Sequence, residues 1–547
     1  MTLFMQAILA FCPIFIAMVL LIGLRVPARY AMPVVLIVTA GIGIFIWEMD
    51  VLVIVASAIQ GLFITVDVLY IIVGALLLLS VLKYSGGLEA IRYHFTLISS
   101  DKRVQIVIIG WLFGSFMEGA SGFGTPAAVI APLLVALRFP AMAAVLVGLM
   151  VQSTAVTFGA IGTPILIGVN NGLAADSIDA AEKLLFIQEV TAQASIIHGI
   201  VGTFIPWFMM VMVILSFGKK SDRKKCITIA PFAIFSGLAF TIPYMLTAIF
   251  FGPEFPSLLG AMVGLILVVV AVKYKFLLPK DTWDFPEKDN WPESWSGNIQ
   301  VDENKSFDTS IGLFKTLLPY LLVSVLLVIT RREEWGIGDL LKKFNISWPF
   351  IFGTDISANS TPLYLPGTML ILAALFAVFL YKMPNKNFNK AFKEALHTSF
   401  KAAFVLMFTI PMVRIYINSG INNSDLMSMP VALAEWTASK ATSIWPLVSP
   451  FIGALGAFIA GSNTVSNLMF TEFQYNVASK LGYSEVLIVS LQAVGAAAGN
   501  MVAIHNIVAV SAVVGLMNKE GMLIRKAIIP TLYYLLFAGI LGMILTL

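Results

Sequence analysis

Apolar stretches of about the length that crosses a bilayer recur along the whole chain. They lie at 5–23, 30–47, 64–82, 141–169, 190–217, 227–250, 257–273, 312–330, 367–381, 398–417, 484–510 and 527–546. A hydrocarbon core of ~30 Å takes ~20 such residues as a helix. Backbone groups cut off from water must then bond within their own segment. An all-α integral membrane protein with about 12 transmembrane helices is therefore expected. Of the 547 residues, 59% are hydrophobic and 12% charged, against about a quarter charged in a soluble domain. A soluble fold is excluded. The net charge of +4 is too small to indicate nucleic acid, and no aromatic and basic platform accompanies it. Cys12 and Cys226 have no metal-ligand spacing and are expected to pack as inert thiols. The first apolar stretch lacks the basic leader and cleavage site of a removable signal, so a retained span is expected.

Two further apolar stretches, 104–137 and 443–479, are each too long for one span and are interrupted near the middle. The first interruption is FGSFMEGASGFGTP at 113–126, and the second is LGAFIAGSNTVSN at 455–467. Gly114, Phe116 and Gly119 match Gly456, Phe458 and Gly461; Gln152 and Gly159 match Gln492 and Gly499. A helix broken in hydrocarbon leaves N–H and C=O groups without partners, which is tolerated where they line a cavity. Matching breaks in two halves of a chain point to the binding site of a secondary transporter. Both stretches are read as re-entrant hairpins, each followed by a broken helix, at 141–169 and 484–510.

Charge orients the spans. With the N-terminus outside, the inner connections carry Arg29, Lys83, Lys102, Arg103, the cluster at 218–225, Lys273, Lys275, Lys382 and Lys386, and Lys519 and Arg525. The outer ones carry Glu48, Asp50, Asp179, Glu182, Glu254, Asp425 and Glu435; the loop 331–366 is mixed. This is the positive-inside pattern, and it puts both termini outside. The chain then divides into a first repeat, 1–217, a linking pair with a polar loop, 218–311, and a second repeat, 312–547. The repeats run in opposite directions, giving inverted topology. The tryptophan-rich part of 274–311 is expected to lie against the headgroups, and 88–100 and 429–441 to form interfacial arms.

The first tip offers Ser121, Gly122, Gly124 and Thr125, with Pro126 opening a half-helix whose positive end suits an anion. The second offers Ser462, Asn463 and Thr464, without charge. The break TFGAIGTP repeats the Gly-Thr-Pro restart at Thr163, and Asn500 holds the equivalent place in AAAGNMVAIHN. A glycine-rich seam between helices is the alternative reading of such runs. Gln152 and Gln492 stand as supporting donors or as helix-to-helix bonds. Glu118, one residue before the first break, has Ala460 as its repeat partner and is read as the group that binds the transported proton; a paired or permanently neutral carboxyl is the alternative. His198 and His505 are proton-shuttle candidates, or neutral core histidines. Arg414 could meet a substrate carboxylate or snorkel to the interface, as Lys401 would. Asp67 is expected at the interface. No phosphate-binding loop and no hydrolase constellation occurs, so a gradient drives transport and no cofactor or metal is expected.

The runs GSFMEGASGFGTPAAVIAPLL, GAIGTPI and GSNTVSN resemble the L-lactate permease family of bacterial and archaeal transporters. The resemblance implies a plasma-membrane importer of lactate, in either stereoisomer, and of glycolate, coupled to protons. It also implies that Ser121, Gly122, Gly124, Thr125, Ser462, Asn463 and Thr464 form the substrate site. The first tip lacks the Asn of a Ser-Asn-Thr tip, which counts against a sodium site of that type. A sodium-coupled carboxylate carrier and an anion channel are the alternatives.

Overall fold

In a computed structural model, the chain is described at residues 1–20, 24, 26–122, 124–174, 177–297, 311–331, 335–440, 443–516 and 519–546. Phe123 and the side chains of Thr125, Lys401 and His505 lie outside the described residues. The protein is helical nearly throughout. In chain order the main helices are α1 (Leu3–Met18), α2 (Ala28–Phe45), α3 (Val51–Tyr84) and α4 (Gly87–Thr96). Then come α5 (Lys102–Ser121), which includes a π-helical stretch, α6 (Thr125–Ala136), α7 (Ala141–Val151) and α8 (164–172). They continue with α9 (Ala180–Gly202), α10 (Ile205–Phe217), α11 (Ala230–Phe251) and α12 (Pro256–Lys273).

The second part runs α13 (Leu313–Arg331), α14 (Pro366–Leu380), α15 (Asn385–Ile417), α16 (Met429–Lys440), α17 (Trp445–Ala460), α18 (Asn463–Leu481), α19 (Glu485–Gly499), α20 (Ile504–Val513) and α21 (Glu520–Ile544). Its order of lengths and breaks follows that of α1 to α10. The packing is reciprocal as well: α3 crosses α15, α2 packs on α15 and α14 on α3, while α1 lies on α16 and α13 on α4. Among the described residues, nine helices are long and apolar enough to cross a membrane, and the pair 141–151 and 156–172, bent by 62°, is a tenth. Five shorter apolar helices include the arms of the hairpins. The protein is a multi-pass membrane protein.

Three expectations change. Helices α3 and α15 begin at 51 and 385 and not at 64 and 398, so each is roughly 50 Å long at 1.5 Å per residue. They cross where a Cβ on Gly61 would stand 2.5 Å from Pro411 Cα, so glycine lets the two backbones meet. Asp67 is thus inside a long helix and not at its end; it accepts a hydrogen bond from Ser360. The third change concerns 274–297, whose Trp283 and Phe285 insert into the protein while most of the segment stays exposed or half-buried. Trp283 and Phe285 are buried, Trp283 Nε1 donates to Asp222, and its carbonyl accepts from the Lys102 N–H. Arg103, fully buried, binds Asp101 through both carboxylate oxygens and reaches the Asp281 carbonyl. The exception to an all-helical chain is an antiparallel pair, β1 (Ile346–Trp348) and β2 (Ala358–Ser360), in the loop before α14.

Glycine also makes the seam between α17 and α19. A Cβ on Gly495 would run into the Pro450 carbonyl, and one on Gly499 into that of Ala454. For Gly499 the packing reading therefore applies, whereas its repeat partner Gly159 does something else.

Candidate functional site

Helix α5 ends at Ser121, and the backbone turns through Gly122 (φ 56°) and Gly124 (φ 76°) before α6. A Cβ on Gly122 would sit 2.8 Å from that of Ala160, so only glycine lets the tip reach the break in the next span. That break runs from 152 to 163. Ala160, Ile161 and Gly162 are all left-handed, at φ 42°, 55° and 73°. A β-branched residue there is a genuine outlier, and such residues cost on the order of 1–3 kcal/mol each. Its neighbours hold it: Tyr244 donates to the Thr154 carbonyl at 2.8 Å and Ser257 to that of Ala155 at 2.6 Å. Helices α11 and α12, which lie outside the repeat pattern, thus take up the carbonyls the break exposes.

In the other half, α17 stops at Gly461 (φ 62°) and α18 starts with Ser462 as its N-cap, the side chain accepting from the Val465 N–H. The two regions line one small cavity of about 20 Å³, close to the room one water takes. Glu118, Gly122, Gly159 and Thr163 line it from one half, and Gly461, Ser462, Asn463, Thr464 and Asn500 from the other. Two half-helix N-termini open onto it, α8 at Thr163–Pro164 and α18 at Asn463. Helix starts of this kind carry the positive end of a helix dipole, which favours an anion.

Glu118 is 2% exposed, and its Oε2 has no hydrogen-bond partner among the described residues; nor does Asn500 Oδ1. No cation lies within ion-pair distance of Glu118 among the described residues. Gly159 faces it so closely that a Cβ would stand 2.6 Å from Oε1. Asn463 donates at 3.3 Å to Thr157 Oγ1, which lies 2.7 Å from His198 Nε2; Tyr534 Oη is 2.5 Å from Nδ1. His198 is therefore one hydroxyl removed from the cavity-lining Asn463, with both ring nitrogens occupied. Asn467 ties the tip to the break, donating to Asn463 Oδ1 at 2.9 Å and to the Pro164 carbonyl at 3.1 Å.

Several expected residues stand elsewhere. Ser121 donates within its own helix to the Met117 carbonyl, and Gly124 lies against Asn506. Neither lines the cavity. The Gly-Thr-Pro restart that reaches it is the one at 162–164. Gln152 accepts from Asn506 at 2.9 Å and Gln492 from Gln474 at 3.1 Å, so both join helices beside the cavity. Arg414 is buried at a second cavity, bonded to Gln60, Asn171 and Asn418, and does not snorkel. Glu472 was missed. It is 2% exposed in α18, and its carboxylate accepts from the Ala174 N–H, Ser177 and Asn476. Its signal was available, since a carboxylate inside an apolar hairpin is as unusual as Glu118. Among the described residues, no group of His, Cys, Asp and Glu could hold a metal ion.

Broken helices meeting hairpin tips at a small cavity, within a bundle of apolar helices, define a multi-pass membrane protein with a candidate site where its two halves meet. The model of the L-lactate permease family matches residues 6–547. A putative L-lactate permease of Haemophilus influenzae is 30% identical, with 97% of each chain covered. The glycolate permease GlcA of Escherichia coli is 28% identical, covering 99% of this chain and 95% of its own. The Alcanivorax borkumensis YdaH transporter aligns with 87% of this chain and 84% of its own, at 12% identity and a TM-score of 0.39. The chain belongs to the L-lactate permease family.

Proposed function

We propose that this protein imports L-lactate, D-lactate and glycolate across the plasma membrane by proton symport, through alternating access of two inverted halves. Twelve crossings and two re-entrant hairpins, with both termini outside, are the topology this reading uses. The observation that carries it is the single cavity bounded by both tips and both breaks, with Glu118 in its wall. The substrate carboxylate sits at the N-termini of α8 and α18. The 2-hydroxyl faces the amide and hydroxyl groups of Asn500 and Ser462. Membership of the L-lactate permease family and likeness to a glycolate permease support the substrate class.

Glu118 takes the proton. An ionised carboxylate there has no counter-charge and stands at high cost, whereas the neutral acid needs only hydrogen-bond partners. Carrying one proton with one lactate cancels the ~2.3 kcal/mol per 100 mV that the anion alone would meet entering an inside-negative cell. His198 acts indirectly by fixing Thr157 and, through it, Asn463. The test is uptake of labelled L-lactate and glycolate by proteoliposomes, with pH and sodium gradients imposed separately. Accumulation driven by the pH gradient alone is expected. Accumulation that requires sodium would replace the proton in this reading, and flux that only equilibrates would make the protein a channel.

A further inference from the structure

A second, larger cavity, of about 180 Å³ and partly open, lies between α3, the end of α8, α9, α15 and the β-hairpin. Two cations line it, Arg414 and Lys183, together with Gln60, Asp67, Asn171 and Asn359. Arg414 is 5% exposed and uses three of its five N–H donors on neutral acceptors: Gln60 at 2.7 Å, the Asn171 carbonyl at 2.9 Å and Asn418 at 3.3 Å. Lys183 Nζ has no hydrogen-bond or ion-pair partner among the described residues. The carboxyls nearby are otherwise engaged. Asp67 accepts from Ser360, and Glu472 from the Ala174 N–H, Ser177 and Asn476. Neither comes within ion-pair distance of Arg414 or Lys183. A buried guanidinium and an ammonium without an ion-pair partner among the described residues thus line one cavity, with Glu472 acting on both only from beyond contact distance, and two such cations together suit a carboxylate.

The place of this cavity relative to the first gives it a use. Helix α8, π-helical over Pro164–Val169, begins at the tip cavity with Thr163 and Pro164 and ends at this one with Asn171. We infer that the second cavity is a capture site for a small carboxylate on the path to the tip cavity, with Arg414 and Lys183 as its anion ligands. It rests on the reading that the chain moves such carboxylates.

The test is equilibrium dialysis of labelled L-lactate against the purified full-length protein at low ionic strength, with proteoliposome uptake in parallel. Lys183→Gln carries the test, because Lys183 is half-exposed and holds no neighbour in place. Wild type is expected to show two classes of lactate site. Lys183→Gln should weaken one class by about tenfold, and Lys183→Arg should restore it. Asn463→Ala should remove the other class and leave the Lys183-dependent one. In uptake, Lys183→Gln should raise the half-saturating lactate concentration more than it lowers the maximal rate. A single class of site, with binding and half-saturation indifferent to Lys183→Gln, overturns the capture site and leaves lactate transport standing. Lys183-dependent binding with no uptake by any variant would instead keep the capture site and overturn the transport reading.

Discussion

Replacing Glu118 by Gln separates the two things the tip cavity is asked to do, seat a carboxylate and move a proton. Glutamine fills nearly the same volume, so the tight approach of Gly159 to Glu118 Oε1 is kept. Breaking a buried ion pair costs about 3–5 kcal/mol, but no such pair is present to break among the described residues. Oε2 lacks a hydrogen-bond partner in the wild type, so changing it should alter stability by no more than about 1 kcal/mol. The functional effect is much larger. One proton per lactate makes a pH difference of about one unit worth ~1.4 kcal/mol, or about tenfold accumulation. Proteoliposomes carrying Glu118→Gln should equilibrate lactate without concentrating it, yet still exchange internal for external label. Tenfold accumulation by Glu118→Gln would refute the assignment of the proton to Glu118.

Other variants test the surroundings. Gly159→Ala places a methyl 2.6 Å from the Glu118 carboxyl and should abolish both exchange and accumulation in vesicles, while the protein still inserts and purifies. His198→Gln should retain pH-driven accumulation, whereas His198→Phe, which removes one hydrogen bond from each of the Thr157 and Tyr534 hydroxyls, should lower the thermal midpoint by the equivalent of about 1–3 kcal/mol. If His198→Gln instead uncouples transport, the histidine carries protons. Trp283→Ala removes a buried ring and the hydrogen bond to Asp222. It should destabilise the protein by about 3–5 kcal/mol in thermal unfolding; no change would return this segment to the headgroups.

How much of this was legible depended on the kind of signal. The hairpin tips were plain because a helix that stops in hydrocarbon must be marked by glycine and small hydroxyl residues, and Gly122 and Gly461 are such marks. Which side chains meet across the tips was not legible. Pattern alone cannot tell that Thr163, and not Ser121, faces Asn463, since both follow glycine-rich runs and the choice is made by three left-handed residues in a row. Helix extents failed where polarity misled. Gln60 interrupts the apolar pattern of α3 just before 64, although it lines a cavity between helices. Trp283 looked interfacial because an aromatic residue in a proline-rich stretch has no periodicity to reveal that it is inserted. Arg414 looked like a side chain near a span end, where snorkelling is the usual outcome. Its three acceptors come from α3, α8 and just beyond α15 itself, far apart in sequence.

The central claim is that the two tips and the two breaks form one seat for a small acid. Density for the full-length protein in a lipid nanodisc with saturating L-lactate tests it most directly. The account predicts lactate between Thr163 and Ser462–Thr464, its carboxylate at the starts of α8 and α18 and its hydroxyl toward Asn500. Lactate bound elsewhere while that space stays empty, or tips standing apart and facing lipid, would contradict it.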